Sequence, residues 1–433
     1  MPSKINKFSQ IRCSFCGKGT DQVDKMITGP SVHICNLCVE MCNDILREER
    51  AAIPDGLSAD GLPTPMQMKA FLDQYIIGQD EVKRGVSVAA YNHFKRILSR
   101  SKKDHDDTEI EKSNILLIGP TGTGKTLIAQ TLARMLKVPF TIVDATIYTE
   151  AGYVGEDVEN MLVRLLQVAN YETAKAEKGI IYIDEFDKIA RKQANPSITR
   201  DVSGEGVQQA MLKILEGTVA NVPPKGGRKH PEQTMVQLDT RDILFICGGA
   251  FVGLEDIVER RIGRSRMGFN AQVLSRANRS IGDILSHTEP DDLIQYGMIP
   301  EIVGRVPAFF ALEDLDEETL LKILTEPKNA LIRQYQKLFS MEGVRLTFAR
   351  EAQREIVRIA LEKKTGARGL RNVLESALMP VMFELPSRAD VKECLITRDV
   401  IRKKSPPTFG LKRENVPEPQ ADDQDLPEQK LAS

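Results

Sequence analysis

Net charge is nearly absent from this sequence: 59 Lys and Arg stand against 61 Asp and Glu, leaving −2 over 433 residues. Non-specific nucleic-acid binding needs a pronounced basic excess, so that partner class is not expected. Long apolar runs are missing too, and with them any expected membrane span. The N-terminal stretch Met1-Pro-Ser-Lys-Ile-Asn-Lys-Phe8 is polar and leads straight into a cysteine motif, which predicts no signal peptide and a cytoplasmic protein. Cysteine is scarce, with seven in the chain. In a reducing compartment those seven point to metal or packing roles rather than disulfides. What remains is ordinary soluble-protein composition, and the length predicts two to four domains with a real core.

Four of the seven cysteines are patterned. Cys13-x-x-Cys16 and Cys35-x-x-Cys38, eighteen residues apart, match the spacing of a four-thiolate structural zinc site. A module of about fifty residues is too small to fold on apolar burial alone, so zinc, at ~10–16 kcal/mol, is the expected main source of its stability. Residues 1–50 carry seven basic and six acidic side chains, which disfavours a DNA reader. They also carry Phe15, Val23, Met26, Ile27, Val32, Ile34, Leu37 and Val39, more apolar surface than so short a chain hides, and that favours self-association or protein binding. Cys42, beside Met41 and Ile45 at helical spacing, reads as a packed thiol rather than a fifth ligand.

The chemistry centres on Ile115-Leu-Leu-Ile-Gly-Pro-Thr-Gly-Thr-Gly-Lys-Thr126. Four apolar residues predict a buried strand, and Gly119 to Thr126 fits G-x-x-x-x-G-K-[ST], a phosphate loop. Pro120, Thr121, Gly122, Thr123, Gly124, Lys125, Thr126 and Leu127 form the expected nucleotide cradle, with Lys125 on the β- and γ-phosphates of ATP and Thr126 on Mg2+. Leu127, Ile128, Leu132 and Leu136 recur at helical spacing and are expected to bury the following helix. Downstream, Gly179-Ile-Ile-Tyr-Ile-Asp-Glu185 is an apolar run ending in two carboxylates. A parallel strand would bring both to the edge that holds the phosphate loop, Asp184 for the hydrated magnesium and Glu185 to polarise the attacking water.

The organisation expected from these signals is a zinc module (1–50), a Pro-, Gly- and Asp-rich linker (51–65), a large doubly wound α/β domain (66–311), a small mainly helical domain (312–404) and a disordered tail (405–433). Predicted elements of the large domain include strands at Phe140–Asp144 and Ile243–Cys247 and helices at Val158–Tyr171 and around Val207–Leu215. Helices dominate afterwards, with a final short strand near Glu393–Ile396.

Together these features resemble the AAA+ family, in particular the branch whose rings feed the ClpP peptidase. The resemblance runs from Cys13 to about Lys404 and rests most specifically on the four-cysteine module joined to such a core, on Ala151-Gly-Tyr-Val-Gly-Glu156, Arg228-Lys-His230, Pro300-Glu-Ile-Val-Gly-Arg305 and Gly366-Ala-Arg-Gly-Leu-Arg371. It implies that Ile76, Ile77, Gly78 and Gln79 lie along the adenine, that Arg305 is an arginine finger reaching a neighbour's γ-phosphate, and that Arg368 is the second sensor. The strand at 243–249 lacks the polar end residue many members use as a first sensor, and none is assigned. An arginine acting in trans implies a head-to-tail interface that must close or run on as a filament; the family closes as a homo-hexamer. Tyr153 and Val154 would then grip polypeptide in the pore, a second pore loop would lie within Asn195–Gly204, and Arg228, Lys229 and His230 would ring its entrance. Met267, Gly268 and Phe269 resemble the aliphatic-Gly-Phe docking motif for ClpP, with Met in place of the usual Ile or Leu. The implied function is ATP-driven unfolding of tagged proteins in a bacterial cytoplasm, with adaptors as further partners. The alternatives are an ATP-gated scaffold and a nucleic-acid motor.

Overall fold

The computed structural model describes residues 12–42, 61–101, 108, 110–149, 156–190, 204–223, 235–265, 280–363, 365–388 and 390–411. The chain divides into two compact units, Met1–Leu315 and Asp316–Ser433. Among the described residues no helix is long and apolar enough to cross a membrane.

The cysteine module is a two-stranded antiparallel hairpin, β1 (Met26–Thr28) and β2 (His33–Cys35), followed by helical residues 36–42. So small a hairpin is marginal by itself. Its buried side chains are those of Cys13, Cys35 and Cys38, while Phe15 (68%), Ile27 (53%) and Val32 (58%) stay exposed, as the apolar excess anticipates.

Helix α1 (Pro65–Asp73) begins inside the stretch read as linker. Thr64 starts it: the Thr64 hydroxyl accepts from the Gln67 N–H, the Gln67 side chain accepts from the Thr64 N–H, and Pro65 takes the first helical position. Helix α2 (Asp80–Ser101) follows. In chain order come β3 (Ile115–Ile118), α3 (Lys125–Leu136), β4 (Phe140–Asp144), α4 (Asn160–Val168), α5 (Thr173–Ala176), β5 (Ile180–Asp184), α6 (Glu205–Glu216), the hairpin β6 (Val219–Val222) and β7 (Val236–Asp239), β8 (Leu244–Gly249), α7 (Leu254–Ser265), α8 (Ile281–Leu285), α9 (Pro290–Tyr296), α10 (Pro300–Arg305) and β9 (Ala308–Ala311).

Strands β4-β5-β8-β3-β9, in that spatial order, form one parallel sheet. Period-two alternation sends Ile115, Leu117, Tyr182 and Ile246 to one face, where they meet Phe94, Ile128 and Leu132; it sends Leu116, Ile118, Ile183 and Cys247 to the other, against Leu162, Leu166 and Met211. Both faces are covered, which is why the strands read as unbroken apolar runs. The doubly wound α/β expectation is met.

Three expectations need correction. Leu127 does not bury α3 against the sheet: it is 40% exposed, because it sits about 100° around the helix from the Ile128, Leu132, Leu136 stripe. The helix expected over 158–171 is confined to Asn160–Val168, with Asn170 and Tyr171 at positive φ beyond it. Edge strand β9 went unread because Ala-Phe-Phe-Ala has no alternation and is only half-buried; pairing with β3 makes it a strand.

The second unit contains α11 (Glu317–Thr325), α12 (Leu331–Met341), β10 (Arg345–Phe348), α13 (Arg350–Glu362), α14 (Gly366–Glu384), β11 (Val391–Ile396), α15 (Arg398–Ile401) and β12 (Thr408–Leu411). It is mainly helical, yet β10-β11-β12 form a three-stranded sheet where the sequence suggested one short strand. The tail expected to be disordered after Lys404 begins instead with β12, held antiparallel on β11.

Candidate functional site

The phosphate loop joins the buried end of β3 to α3. Gly119 is required where it stands, since a Cβ there would come within 3.0 Å of Leu312 Cβ and 3.1 Å of its carbonyl oxygen. Gly124, with φ +105 and open space around it, caps α3 in a conformation that L side chains resist. The loop therefore faces its site with backbone N–H groups and the positive end of a twelve-residue helix. Lys125 is buried, and its Nζ donates to Gly119 O (2.6 Å) and Pro120 O (2.9 Å); Thr123 Oγ1 donates to Pro120 O (2.9 Å). The ammonium is thus held along the loop it serves.

Parallel pairing places the acidic pair at the same edge. Strands β3 and β5 both flank β8, so the C-terminal ends of β3 and β5 lie two strand spacings apart, roughly 10 Å. Asp184 Oδ1 accepts from the Glu185 N–H (3.0 Å) and the Tyr182 hydroxyl (3.4 Å). Glu185 is exposed and has φ +53, a left-handed conformation costing a non-glycine residue about 1–2 kcal/mol. Strain of this kind at the end of a sheet strand marks a side chain being aimed.

Tyr182 was not singled out from the sequence, although period-two alternation puts it on the face of Asp184. The Thr126 side chain lies near enough to its hydroxyl to favour the charged form, so Tyr182 stands close to both expected magnesium ligands. Burial pushes its phenol well above the ordinary range. Room for it exists because the penultimate residue of β8 is Gly248, where a Cβ would lie 2.1 Å from the Tyr182 oxygen. The end of β8 carries no polar side chain of its own; buried Asp187 stands beside it and accepts from the Ala250 N–H (3.2 Å).

Gln79 is tied to the chain that follows β9. Its buried side-chain amide donates to Glu313 O (2.9 Å) and accepts from the Glu313 N–H (2.9 Å), which secures the strap that packs Leu312 on Gly119. Its side chain is therefore engaged within the fold; Gly78 and Gln79, both at positive φ, turn the chain there, and Ile76 is buried with Ile77 half-buried beside it.

Arg305 is at the opposite edge of the sheet. Asn114, immediately before β3, donates to Arg305 O (2.8 Å) and to Leu215 O (3.2 Å), and Arg305 Nε donates to Glu216 Oε1 (3.0 Å). From Asn114 to Gly119 is about 16 Å of strand, so the structure does not bring Arg305 to its own phosphate loop. In the second unit Arg368 lies exposed in the first turn of α14, where buried Gly369 and Leu370 anchor that turn.

The thiols of Cys13, Cys16, Cys35 and Cys38 all lie within 4.8 Å of one another. Cys13 and Cys38 are 3.9 Å apart and Cys16 and Cys35 3.6 Å, close to the ~3.8 Å edge of a tetrahedron with 2.3 Å Zn–S bonds. The Cys16 backbone N–H is the foremost influence lowering the Cys13 thiol to about 6, while burial and the neighbouring thiols raise Cys38 to about 12. Four sulfurs so crowded fit a soft divalent cation. Cys42 stands outside this set, half-buried.

Tyr153, Val154, Arg228, Lys229, His230, Met267, Gly268, Phe269 and the expected second pore loop, apart from its last residue Gly204, lie outside the described residues. The residues bounding Tyr153 and Val154 are described: Glu156 N donates to Ile147 O (3.2 Å) and Thr149 N to Glu156 O (3.1 Å), so the ends of that loop are tied together.

Family comparison assigns three regions. Residues 11–48 match the ClpX C4-type zinc finger, 110–309 match the AAA domain (Cdc48 subfamily), and 315–397 match the C-terminal, D2-small domain of ClpB protein. The boundaries coincide with the thiol cluster, the parallel sheet with its phosphate loop, and the second unit. A ClpX-type zinc finger, an AAA domain and a D2-small domain stand in that order, a combination consistent with a ClpX-type AAA+ protein.

Proposed function

We propose that this chain is a ring-forming, ATP-dependent unfoldase and translocase that pulls tagged proteins through a central pore and delivers them to the ClpP peptidase. The observation that carries this reading is the split of the site. Lys125, Thr126, Asp184 and Glu185 share one sheet edge, while Arg305 occupies the other and has no route to them within its own subunit. A neighbour's Arg305 would complete each site, which calls for a head-to-tail ring, here a homo-hexamer. Its exposed pairing with Glu216 is worth ~0–1 kcal/mol, weak enough to exchange for a phosphate.

Within the site, Lys125 would move from loop carbonyls to the β- and γ-phosphates, Thr126 and Asp184 would hold Mg2+, and Glu185 would orient and polarise water. Bound Mg·ATP supplies the phosphoryl group whose loss drives conformational cycling. Ile76, Ile77, Gly78 and the backbone of Gln79 would lie along the base, and Arg368 would report nucleotide state to the small domain. Tyr153 and Val154 would grip polypeptide, Arg228, Lys229 and His230 would attract a free C-terminal carboxylate at the pore entrance, and Met267, Gly268 and Phe269 would dock on ClpP, six weak contacts adding avidity. The zinc module, with its exposed apolar side chains, would dimerise and bind substrates or adaptors in a bacterial cytoplasm.

The test is ATPase turnover measured alone, with an unfolded polypeptide and with DNA. Stimulation by the polypeptide and not by DNA is expected; stimulation by DNA alone would favour a nucleic-acid motor, and no turnover under any condition would favour a scaffold.

A further inference from the structure

The second unit carries a basic groove that the ATPase chemistry leaves unused. It encloses about 580 Å3 and is lined by Arg358, Lys363, Arg402, Lys403 and Lys404, with Glu355 as the carboxylate in its wall. Glu355 is 3% exposed and organises the floor. It accepts from Arg358 Nη2 (2.6 Å), Arg402 Nε and Nη2 (2.9 and 3.1 Å) and Arg398 Nε (3.2 Å). One carboxylate cannot neutralise three guanidiniums. Glu362 pairs with Arg358 at the rim, and among the described residues no carboxylate pairs with Lys363, Lys403 or Lys404. Lys403, at φ +59 just past α15, turns the chain so that it and Lys404 stand exposed at the mouth. A surface so charged attracts an anionic partner across a Debye length of about 8 Å at physiological salt.

The same chain supplies such a partner. Glu418, Asp422, Asp423, Asp425 and Glu428 follow one another with no Lys or Arg between them. The described fold ends at β12, whose last residue, Leu411, pairs beside Val391. Leu411 lies seven residue steps beyond Lys404, and Glu418 seven steps beyond Leu411. At ~3.3 Å per residue each leg spans at most about 23 Å, so the acidic strip can return to the groove mouth. A tether of that length gives an effective concentration on the order of millimolar, enough for a weak electrostatic contact. We propose that the groove formed by Arg358, Lys363, Arg402, Lys403 and Lys404 is a docking site for acidic polypeptide, and that its occupant is this chain's own segment Glu418–Glu428.

The full-length protein, assembled from a mixture of isotopically heavy and light chains, is treated with a zero-length carbodiimide, which links an amine and a carboxylate only in contact. Amide links from Lys363, Lys403 or Lys404 to Asp422, Asp423 or Asp425 within single chains are expected. In parallel, a glutamate-specific protease should cut after Glu428 about fivefold faster in Lys403→Gln/Lys404→Gln, whose altered side chains are exposed, and at the parental rate in Lys403→Arg/Lys404→Arg. Three results overturn the proposal: no such links, links joining heavy to light chains alone, which make a second copy the occupant, or a cleavage rate indifferent to loss of the two lysine charges.

Discussion

At the scale of single residues, Tyr182 connects the two halves of the nucleotide site. Its ring lies under Gly248, and its hydroxyl donates to Asp184 on its own strand, with Thr126 on α3 nearby. Gly248→Ala would drive a methyl into that oxygen and cost about 1–3 kcal/mol through overpacking. Tyr182→Phe keeps the ring and removes only the hydroxyl, a loss of roughly 0.5–1.5 kcal/mol in the alignment of Asp184. The expected signature is a lower melting temperature for the alanine variant, with the phenylalanine variant near the parent. Both should need more Mg2+ for half-maximal ATPase, about two- to tenfold for Tyr182→Phe. Equal magnesium dependence in Tyr182→Phe and parent would show that the hydroxyl only fills space.

At the scale of elements, the zinc module and the parallel sheet owe their stability to different physics. The sheet is buried on both faces by helices and stands on apolar packing. The module has a two-stranded hairpin, a core of cysteines and exposed Phe15, Ile27 and Val32, so its fold depends on the metal. Cys35→Ser/Cys38→Ser should lose about one zinc per chain and unfold residues 12–42, because ~10–16 kcal/mol goes with the ion. Basal ATPase should persist, since the Pro- and Gly-containing stretch after residue 50 separates the module from α1. Metal analysis and ATPase assays on one preparation check both halves; an unchanged zinc content would remove the four-thiolate site.

At the scale of the whole molecule, if a neighbour's Arg305 completes each site as proposed, activity should be repairable by mixing. Arg305→Ala and Glu185→Gln should each nearly abolish turnover alone, the second while retaining ATP binding because the amide keeps the shape and loses the charge. Co-assembled at equal ratio, the Arg305→Ala chain still offers Glu185 and the Glu185→Gln chain still offers Arg305. Random head-to-tail placement then completes about one site in four. Turnover should recover toward a quarter of the parental value; activity of the mixture no greater than that of either variant would mean that Arg305 does not act across subunits.

Local chemistry is what the sequence by itself determined. The phosphate loop, the acidic strand end and the paired Cys-x-x-Cys motifs each depend on neighbours a few residues away, so spacing alone revealed them, and the apolar strand runs announced a sheet buried on both sides. Tertiary structure decided whatever depends on contacts far apart in the chain. Ala308–Ala311 is a strand only because β3 lies beside it, and Thr408–Leu411 only because β11 does. Gln79 is engaged by Glu313, Gly248 must be glycine because of Tyr182, and Leu127 turns outward by one helical position. Arg305 could be named from its motif, but its place at the far edge from Gly119 followed only from the parallel register of β9 on β3 and the hydrogen bond from Asn114. Non-local pairing leaves no periodic trace along the chain, and that is the physical reason these features waited for the fold.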